Sequence, residues 1–584
     1  MVNLGLILEY EVIFPAEPAK SLKEYFKGAS RDRVLKLGVF LLGFKNQNSA
    51  FNDNVHVLKT IFGAENNKFA NDIYKLIKNQ EEKVQRHVQI IHLYSSLKLF
   101  EFFFKNCTDD NEPEQTAAEF EVNFFKAYLC VNTQFTKDQN VAFKSVKHLD
   151  ENLKIPMMLF CGSYPYSDKT NYDLSQQWVT QTVKANLLFK FLESNDQTKD
   201  LLAEFLHCYK CADWKDYMKK YILLTLSILK KERETYTDYV IKQGETFNEQ
   251  CDFLEYFIIY EGELPADELD FLTLRSKPMY KIKRGEYRII YDLFIVEKIY
   301  KGLYFALRDQ NSRLPKSRQI KEFKSFYGKY FSEATLTYKA MEIIYPNKCM
   351  RLSGDEMDKL IDGAPDYYIR RGTDVLLFES KDFLVPVKEK DSYDYAVYDK
   401  VFEERLYFTE KDSKQHNKAV AQLINTIENI LKSNFSPDTK IKPKEVTIYP
   451  IVVVHDHQYD APGLNELINS WFIEELDVLS NAGLYTKRVK PLIIVNIDQL
   501  LYFQVALSET ISLHHVIDKY FQHIQRKPRR NFMTDQEWEA HLLEKTEPFS
   551  IFLSNFMVKR KLRKLPPLLE ELGLQLFDKT VNSR

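Results

Sequence analysis

The stretch Ala364–Phe383, APDYYIRRGTDVLLFESKDF, constrains the fold of this chain more tightly than any other. Two extended runs flank the pair Gly372-Thr373. Glycine first in a two-residue connection suits a type II′ turn, whose twist matches that of paired strands. A turn at that pair sets the register. Arg371 falls opposite Asp374, Arg370 opposite Val375, Ile369 opposite Leu376 and Asp366 opposite Glu379. Opposed residues share a face, and so do residues two apart. Asp366, Glu379 and Lys381 are therefore expected to project from one side of the sheet.

Two carboxylates directly opposed repel each other, and these two stand beside the apolar run Val375-Leu376-Leu377-Phe378. A divalent cation between them would remove the repulsion. Oxygen ligands with a lysine nearby suit Mg²⁺ or Mn²⁺ rather than zinc. An ion of that kind binds a phosphodiester, polarises its oxygens and lowers the pKa of a bound water. Lys381 is then placed to orient that water or to neutralise charge developing on the phosphate.

Pro365-Asp366 followed by Glu379-Ser380-Lys381 resembles the signature of the PD-(D/E)XK nuclease superfamily. The resemblance implies a restriction-endonuclease-like core: a helix, three strands, a helix and a further strand. It implies that Asp366 and Glu379 bind the metal, that Ser380 adds its backbone carbonyl, and that Lys381 assists the attacking water. It also implies an acidic residue on the helix before the metal strands. Glu333 is the candidate, with Glu342 a weaker one. On the helix after them the family places a Gln or Lys that faces the site, here Gln422. The metal set so implied is Glu333, Asp366, Glu379 and Ser380, and the catalytic set is Asp366, Glu379, Lys381 and Gln422. The resemblance extends over residues 320–500 at most. Within them, Phe326–Pro346 reads as a helix, and His416–Ser433 as another with Val420, Leu423, Ile424, Ile427, Ile430 and Leu431 on its apolar face. Val446–Asp456 and Lys490–Asp498 read as strands flanking a helix at Glu466–Gly483. Pro450 has no N–H for a ladder, so the strand either bulges there or begins there.

A chain of 584 residues holds more than one domain. The expected fold is α+β or α/β and multidomain: a mainly helical half at 1–275 whose role the sequence does not declare, sensing or gating being open to it, a linking hairpin and helix at 276–319, the nuclease-like mixed sheet and its helices at 320–500, and a helical basic tail at 501–584. The main boundary is placed near Ser276. In the first half, residues 4–12 alternate like a strand, Glu82–Lys105 reads as one long helix, and Phe160–Asp173 reads as a turn-rich loop. Lys388–Lys400, charged and tyrosine-rich, reads as an exposed excursion. Cys208-x-x-Cys211 and His455-Asp456-His457 are discounted as zinc sites, because neither supplies enough ligands. Seven scattered cysteines fit reduced thiols. The first residues lack a basic n-region and carry Glu9 and Glu11, and no apolar run reaches bilayer length. The expectation is a soluble cytoplasmic protein.

A net charge of −2 makes no global demand for nucleic acid, so any affinity must come from local patches. Two clusters qualify, Arg526-Lys527-Pro528-Arg529-Arg530 and Lys559–Lys564, with Arg370 and Arg371 beside the proposed site. Nucleic acid is the expected partner, with DNA first by resemblance. A homo-oligomer or a partner protein is also open. A restriction or anti-phage effector is the role that analogy suggests. The alternatives are an RNase using the same residues, or a non-catalytic nucleic-acid-binding scaffold. No Walker-type or GxGxxG segment signals a nucleotide cofactor.

Overall fold

The computed structural model describes residues 6–43, 53–106, 114–170, 172–229, 236–265, 268–346, 349–361, 363–411, 414–526 and 534–577. The fold is α+β and mainly helical. It divides into two compact units, each built from two stretches of chain. The first takes Met1–Val141 and Tyr209–Gly302, and the second takes Ala142–Cys208 and Leu303–Arg584. These cuts differ from the expected boundary near Ser276. Residues up to Gly302 stay with the first unit, and Ala142–Cys208 belongs with the second. Among the described residues no helix is long and apolar enough to cross a membrane.

The first unit is helical, with a parallel strand pair (Leu6–Ile7 with Val88–Gln89) and an antiparallel sheet of Asp238–Val240, Glu286–Ile289 and Met279–Lys283. Two expectations fail here. Residues 4–12 do not form one strand: Leu6–Ile7 is extended and Tyr10–Ile13 is helical. The alternating face is not buried as a set, since Leu6 and Val12 are exposed while Leu8 and Tyr10 are core residues. Glu82–Lys105 is not one helix. The first helix ends at Val84, where Gln85 turns left-handed at φ 52°, and the next begins at Leu93. Glu81 Oε1 accepts the Val88 N–H at 3.1 Å, and Val88–Gln89 then pairs with Leu6–Ile7. That pairing outcompetes the helical period, as tertiary context does for any weak propensity.

In the second unit we number the elements that position the site. They are α1 (Glu151–Thr170), α2 (Leu174–Ser194), α3 (Tyr338–Ile344), β1 (Met350–Ser353), β2 (Tyr367–Arg371), β3 (Asp374–Lys381), α4 (Ala419–Leu431), β4 (Thr447–Val454), α5 (Leu464–Asn481), β5 (Ile493–Asn496) and α6 (Ile497–Tyr502). The sheet runs β5-β4-β3-β2-β1. β1, β2 and β3 are antiparallel neighbours, whereas β3, β4 and β5 are parallel, so the sheet is mixed. Parallel neighbours need crossovers, and α4 and α5 supply them. β3 and β4 are covered on both faces, and their sequences are accordingly near-continuous apolar runs. The apolar face expected of α4 is the buried one. The tail is helical at Leu513–Ile524, Asp535–Lys545, Phe549–Lys559 and Pro567–Phe577.

The hairpin has the expected register. Arg371 pairs with Asp374, Arg370 with Val375 and Ile369 with Leu376. Gly372 takes φ 63° while Thr373 does not enter the left-handed region, as a type II′ turn requires. Pro450 neither starts nor bulges β4, which pairs with β3 without interruption from Thr447 to Val454. The irregularity lies on the other side. Ile448 bridges Val489, but Ile451 pairs with Ile493, a slip of one residue. The Ile448 N–H points at that neighbour, donating to Arg488 O. The nitrogen of Pro450, two residues on, faces the same way, so its missing donor falls at the slip.

Phe160–Asp173 is not a loop, because α1 continues to Thr170 through Pro156 and Pro165. Lys388–Lys400 is not an exposed excursion either. It forms Val387–Lys390 and Tyr395–Phe402, with Tyr393, Tyr395 and Tyr398 buried. The two corrections share a cause. Tyr398 packs against Phe160 and Tyr164 at ring separations of 5.4 and 5.2 Å, and Lys390 Nζ meets Asp168 at 2.8 Å. Burial of those aromatics outweighs the two lost helical donors. The helix expected at Phe326–Pro346 does stop before Pro346, but Phe326 ends a one-turn α-helix from Phe323, Tyr327–Thr337 is π-wound, and Tyr338–Ile344 is α-helical.

One glycine shows how closely α1 approaches α5. Gly463, preceding α5, has φ 84°, and a Cβ there would lie 2.2 Å from Pro156 O. Gly463→Ala is expected to destabilise the second unit by about 3 kcal/mol or more. The midpoint of its urea transition, compared with wild type, checks this.

Candidate functional site

The site forms where β2 begins and β3 ends. Tyr367 pairs with Phe378, so Asp366 and Glu379 stand at the next step of the ladder. Two backbone donors fix Asp366. Ser380 N–H donates to its Oδ2 at 2.7 Å, and Gly354 N–H donates to its carbonyl at 2.8 Å. Glu379 has no exposed surface. Lys381 Nζ donates to Glu379 Oε2 at 3.0 Å and to Gln422 Oε1, on α4, at 3.1 Å. The structure thus brings together Asp366, Glu379, Ser380, Lys381 and Gln422. Glu333 on the π-wound stretch is half-buried, and Tyr338 Oη donates to its Oε1 at 3.1 Å. Glu342 is exposed, and its backbone carbonyl, not its carboxylate, meets Arg351.

The electrostatics show a cluster short of positive charge. Burial first, then Asp366 and Glu333, push Glu379 up to about 8 against the pull of Lys381. Burial and the Asp366 charge push Glu333 up to about 7, with Tyr338 and Lys381 opposing. Asp366 is raised by burial, with Lys381, the Ser380 amide and Glu379 opposing. Burial works against the charge on Lys381, but Glu379, Asp366 and Glu333 together outweigh it and raise its pKa. Lys418, one turn before Gln422, is lowered by burial and then by Lys381 and Arg405. One oxygen of the cluster is an orphan: Glu379 Oε1 is buried without a hydrogen-bond partner.

A hard divalent cation fits this donor set. Glu379 Oε1 has no hydrogen-bond partner, and Asp366 Oδ2 and Glu379 Oε2, which each accept one hydrogen bond, keep a further lone pair. Ser380 presents N–H to Asp366, and in an extended strand a residue's carbonyl leaves on the same side as its N–H. No group of three or more His, Cys, Asp or Glu side chains with metal-ligating arrangement occurs among the described residues. A cation here would draw on two carboxylates and a backbone oxygen, with Glu333 as a further acid.

Several contacts around the site escape a sequence reading. Glu333 and Tyr338 are five apart, and so are Thr337 and Ser332, whose carbonyl accepts from Thr337 Oγ1 at 2.9 Å. Five-residue spacing aligns side chains only on a π-helix, and the 3.6 period hides it. Ser380 Oγ lies 2.7 Å from His455 Nε2 and 3.3 Å from Thr337 Oγ1. His455 is buried, and burial pushes its ring down to about 4. His457 goes elsewhere, with Nε2 at 2.8 Å from Asp168 O, and Asp456 accepts from Gln458 N–H. β4 ends at Val454, so the two rings do not share a strand face.

The basic residues are less free than their charge suggests. Arg370 is ion-paired with Asp438, and Arg371 is exposed beside the turn. Lys564 meets Glu509 at 2.8 Å, Arg563 meets Asp173 at 3.7 Å, and Arg560 lies over Phe556. Lys527–Arg530 lie outside the described residues. Comparison of the chain with protein-family models, with curated proteins and with solved structures finds no match.

The buried carboxyl makes stability depend on pH in a definite direction. The folded-state pKa of Glu379 is raised from 4.5 to about 8. Its contribution is whole below about 4.5 and is lost as pH rises through about 8, because the folded protein holds a proton that the unfolded chain releases. Glu379→Gln removes this penalty. In metal-free buffer its unfolding temperature is expected to exceed that of wild type by a margin that widens from pH 5 to pH 9. A constant margin would show that the carboxyl does not titrate in this range.

Proposed function

We propose that this chain is a divalent-cation-dependent nuclease of the PD-(D/E)XK type, hydrolysing phosphodiester bonds with DNA as its first substrate. The observation that carries the reading is the meeting of Asp366, Glu379 and Lys381 on one patch of a mixed sheet, where Glu379 keeps one buried oxygen without a hydrogen-bond partner. The order of elements adds support. Helix α3, antiparallel strands β1–β3, helix α4 and parallel strand β4 follow one another as in a restriction-endonuclease-like core.

Asp366, Glu379 and the Ser380 carbonyl would hold Mg²⁺ or Mn²⁺, with Glu333 as an additional acid. When bound, such an ion polarises the phosphate and acidifies a water. The chain's own residues do the rest. Lys381, gripped by Glu379 and Gln422, keeps its ammonium fixed beside the two acids, where it can orient the attacking water and offset charge growing on the phosphate oxygens. Gln422 uses its carbonyl oxygen on Lys381, which leaves its amide hydrogens for water or a phosphate oxygen. Lys418 adds a second cation on the same side of α4.

The test is cleavage of plasmid DNA and of a matched RNA with Mg²⁺, with Mn²⁺ and with chelator. Metal-dependent cleavage of DNA is expected, slowed about 10²–10⁴-fold by Lys381→Ala and by Asp366→Ala while circular dichroism stays unchanged. Cleavage at wild-type rate in both variants sinks the assignment, and cleavage of RNA alone changes the substrate.

A further inference from the structure

The middle residue of Glu379-Ser380-Lys381 is held by more of the structure than its neighbours are. Its N–H binds Asp366 Oδ2, and its hydroxyl meets both Thr337 and His455. His455 is itself anchored: Lys184 Nζ on α2 donates to its carbonyl at 3.3 Å and pairs with Asp498 of α6 at 2.7 Å. All six of these residues lie in the second unit.

Counting protons fixes the direction of the contacts. A threonine hydroxyl has one proton, and Thr337 spends its proton on Ser332 O. In the Thr337–Ser380 contact the serine must therefore donate. Its oxygen is left to accept, and the donor facing it is His455 Nε2–H. The other ring nitrogen, Nδ1, is buried without a partner. In this tautomer it carries a lone pair. The opposite tautomer would bury an orphan N–H, the rarer arrangement. A ring that donates to a hydroxyl cannot take its proton, so Ser380 and His455 are not a nucleophile and base.

We propose that His455 is a positioning residue for the cation site: through the Ser380 hydroxyl it locks the residue whose N–H holds Asp366 and whose carbonyl would face the cation. This rests on the nuclease reading above. Outer partners that hold a ligand in place commonly account for 10–100-fold in metal affinity. A glutamine amide nitrogen reaches about as far as imidazole Nε2, whereas an asparagine nitrogen reaches only as far as Nδ1. The two amides thus separate the donor from the mere presence of a polar side chain.

The test is calorimetric titration of the full chain with Mn²⁺. His455→Asn is expected to weaken binding about 10-fold or more, Ser380→Ala to weaken it similarly, and His455→Gln to stay near wild type. The double variant Ser380→Ala/His455→Asn is expected to bind no worse than Ser380→Ala alone, because His455 acts only through that hydroxyl. Wild-type affinity in His455→Asn, or losses that add in the double variant, overturns the inference. Glu379→Gln separates the two readings. If it leaves Mn²⁺ binding unchanged, the cation site itself is wrong. If it abolishes binding and His455→Asn does nothing, only the role of His455 falls.

Discussion

A carboxylate with no exposed surface, Glu379, is the constraint on which the second unit depends. An ionised carboxyl taken out of water costs several kcal/mol unless something answers its charge. Three answers are open to it: a proton, the ammonium of Lys381, and a cation shared with Asp366. The surrounding chain is arranged around that choice. Lys381 follows two residues later, so strand geometry puts it on the same face. Gln422 holds the ammonium from the α4 side, which keeps it from folding entirely onto Glu379.

The precision of this cluster comes from the backbone under it. β3 is paired on both edges, to β2 and to β4, and the β4 pairing runs its full length. Neither Glu379 nor Lys381 can shift without breaking ladder bonds. Asp366 lies just outside β2, where no ladder holds it, and there the Gly354 and Ser380 amides take over. A Cβ on Gly354 would sit 3.2 Å from Asp366 O, so that approach leaves little room for a side chain.

What could be read from the sequence follows from how local the signal is. The hairpin register was legible because a glycine-led turn and a two-residue period determine it without reference to the rest of the fold. The convergence of Asp366, Glu379 and Lys381 followed from that register, whereas Gln422 was reached only through the family resemblance. The errors came where distant burial decides. Pro156 and Pro165 sit inside α1 because Phe160 and Tyr164 pack on Tyr398, more than two hundred residues along the chain. The same packing hides the tyrosines of the segment that looked exposed. The contacts of Tyr338 and Thr337 use a five-residue spacing that no helical period test detects. His455 reaches Ser380 only because β4 lies beside β3, a pairing that hydropathy does not specify.

The interleaving of the two units has a consequence for how the chain is made. α1 and α2 leave the ribosome before the whole of Tyr209–Gly302, and α5 and α6, against which they pack, come later still. During synthesis they are unpartnered segments waiting for a distant mate, while their Lys184 has no Asp498 to meet. A gene fragment beginning at residue 320 would lack them altogether. Its α5 and α6 would be translated without the helices that pack on them, so the smallest autonomous piece of the second unit is longer than the motif-bearing segment suggests.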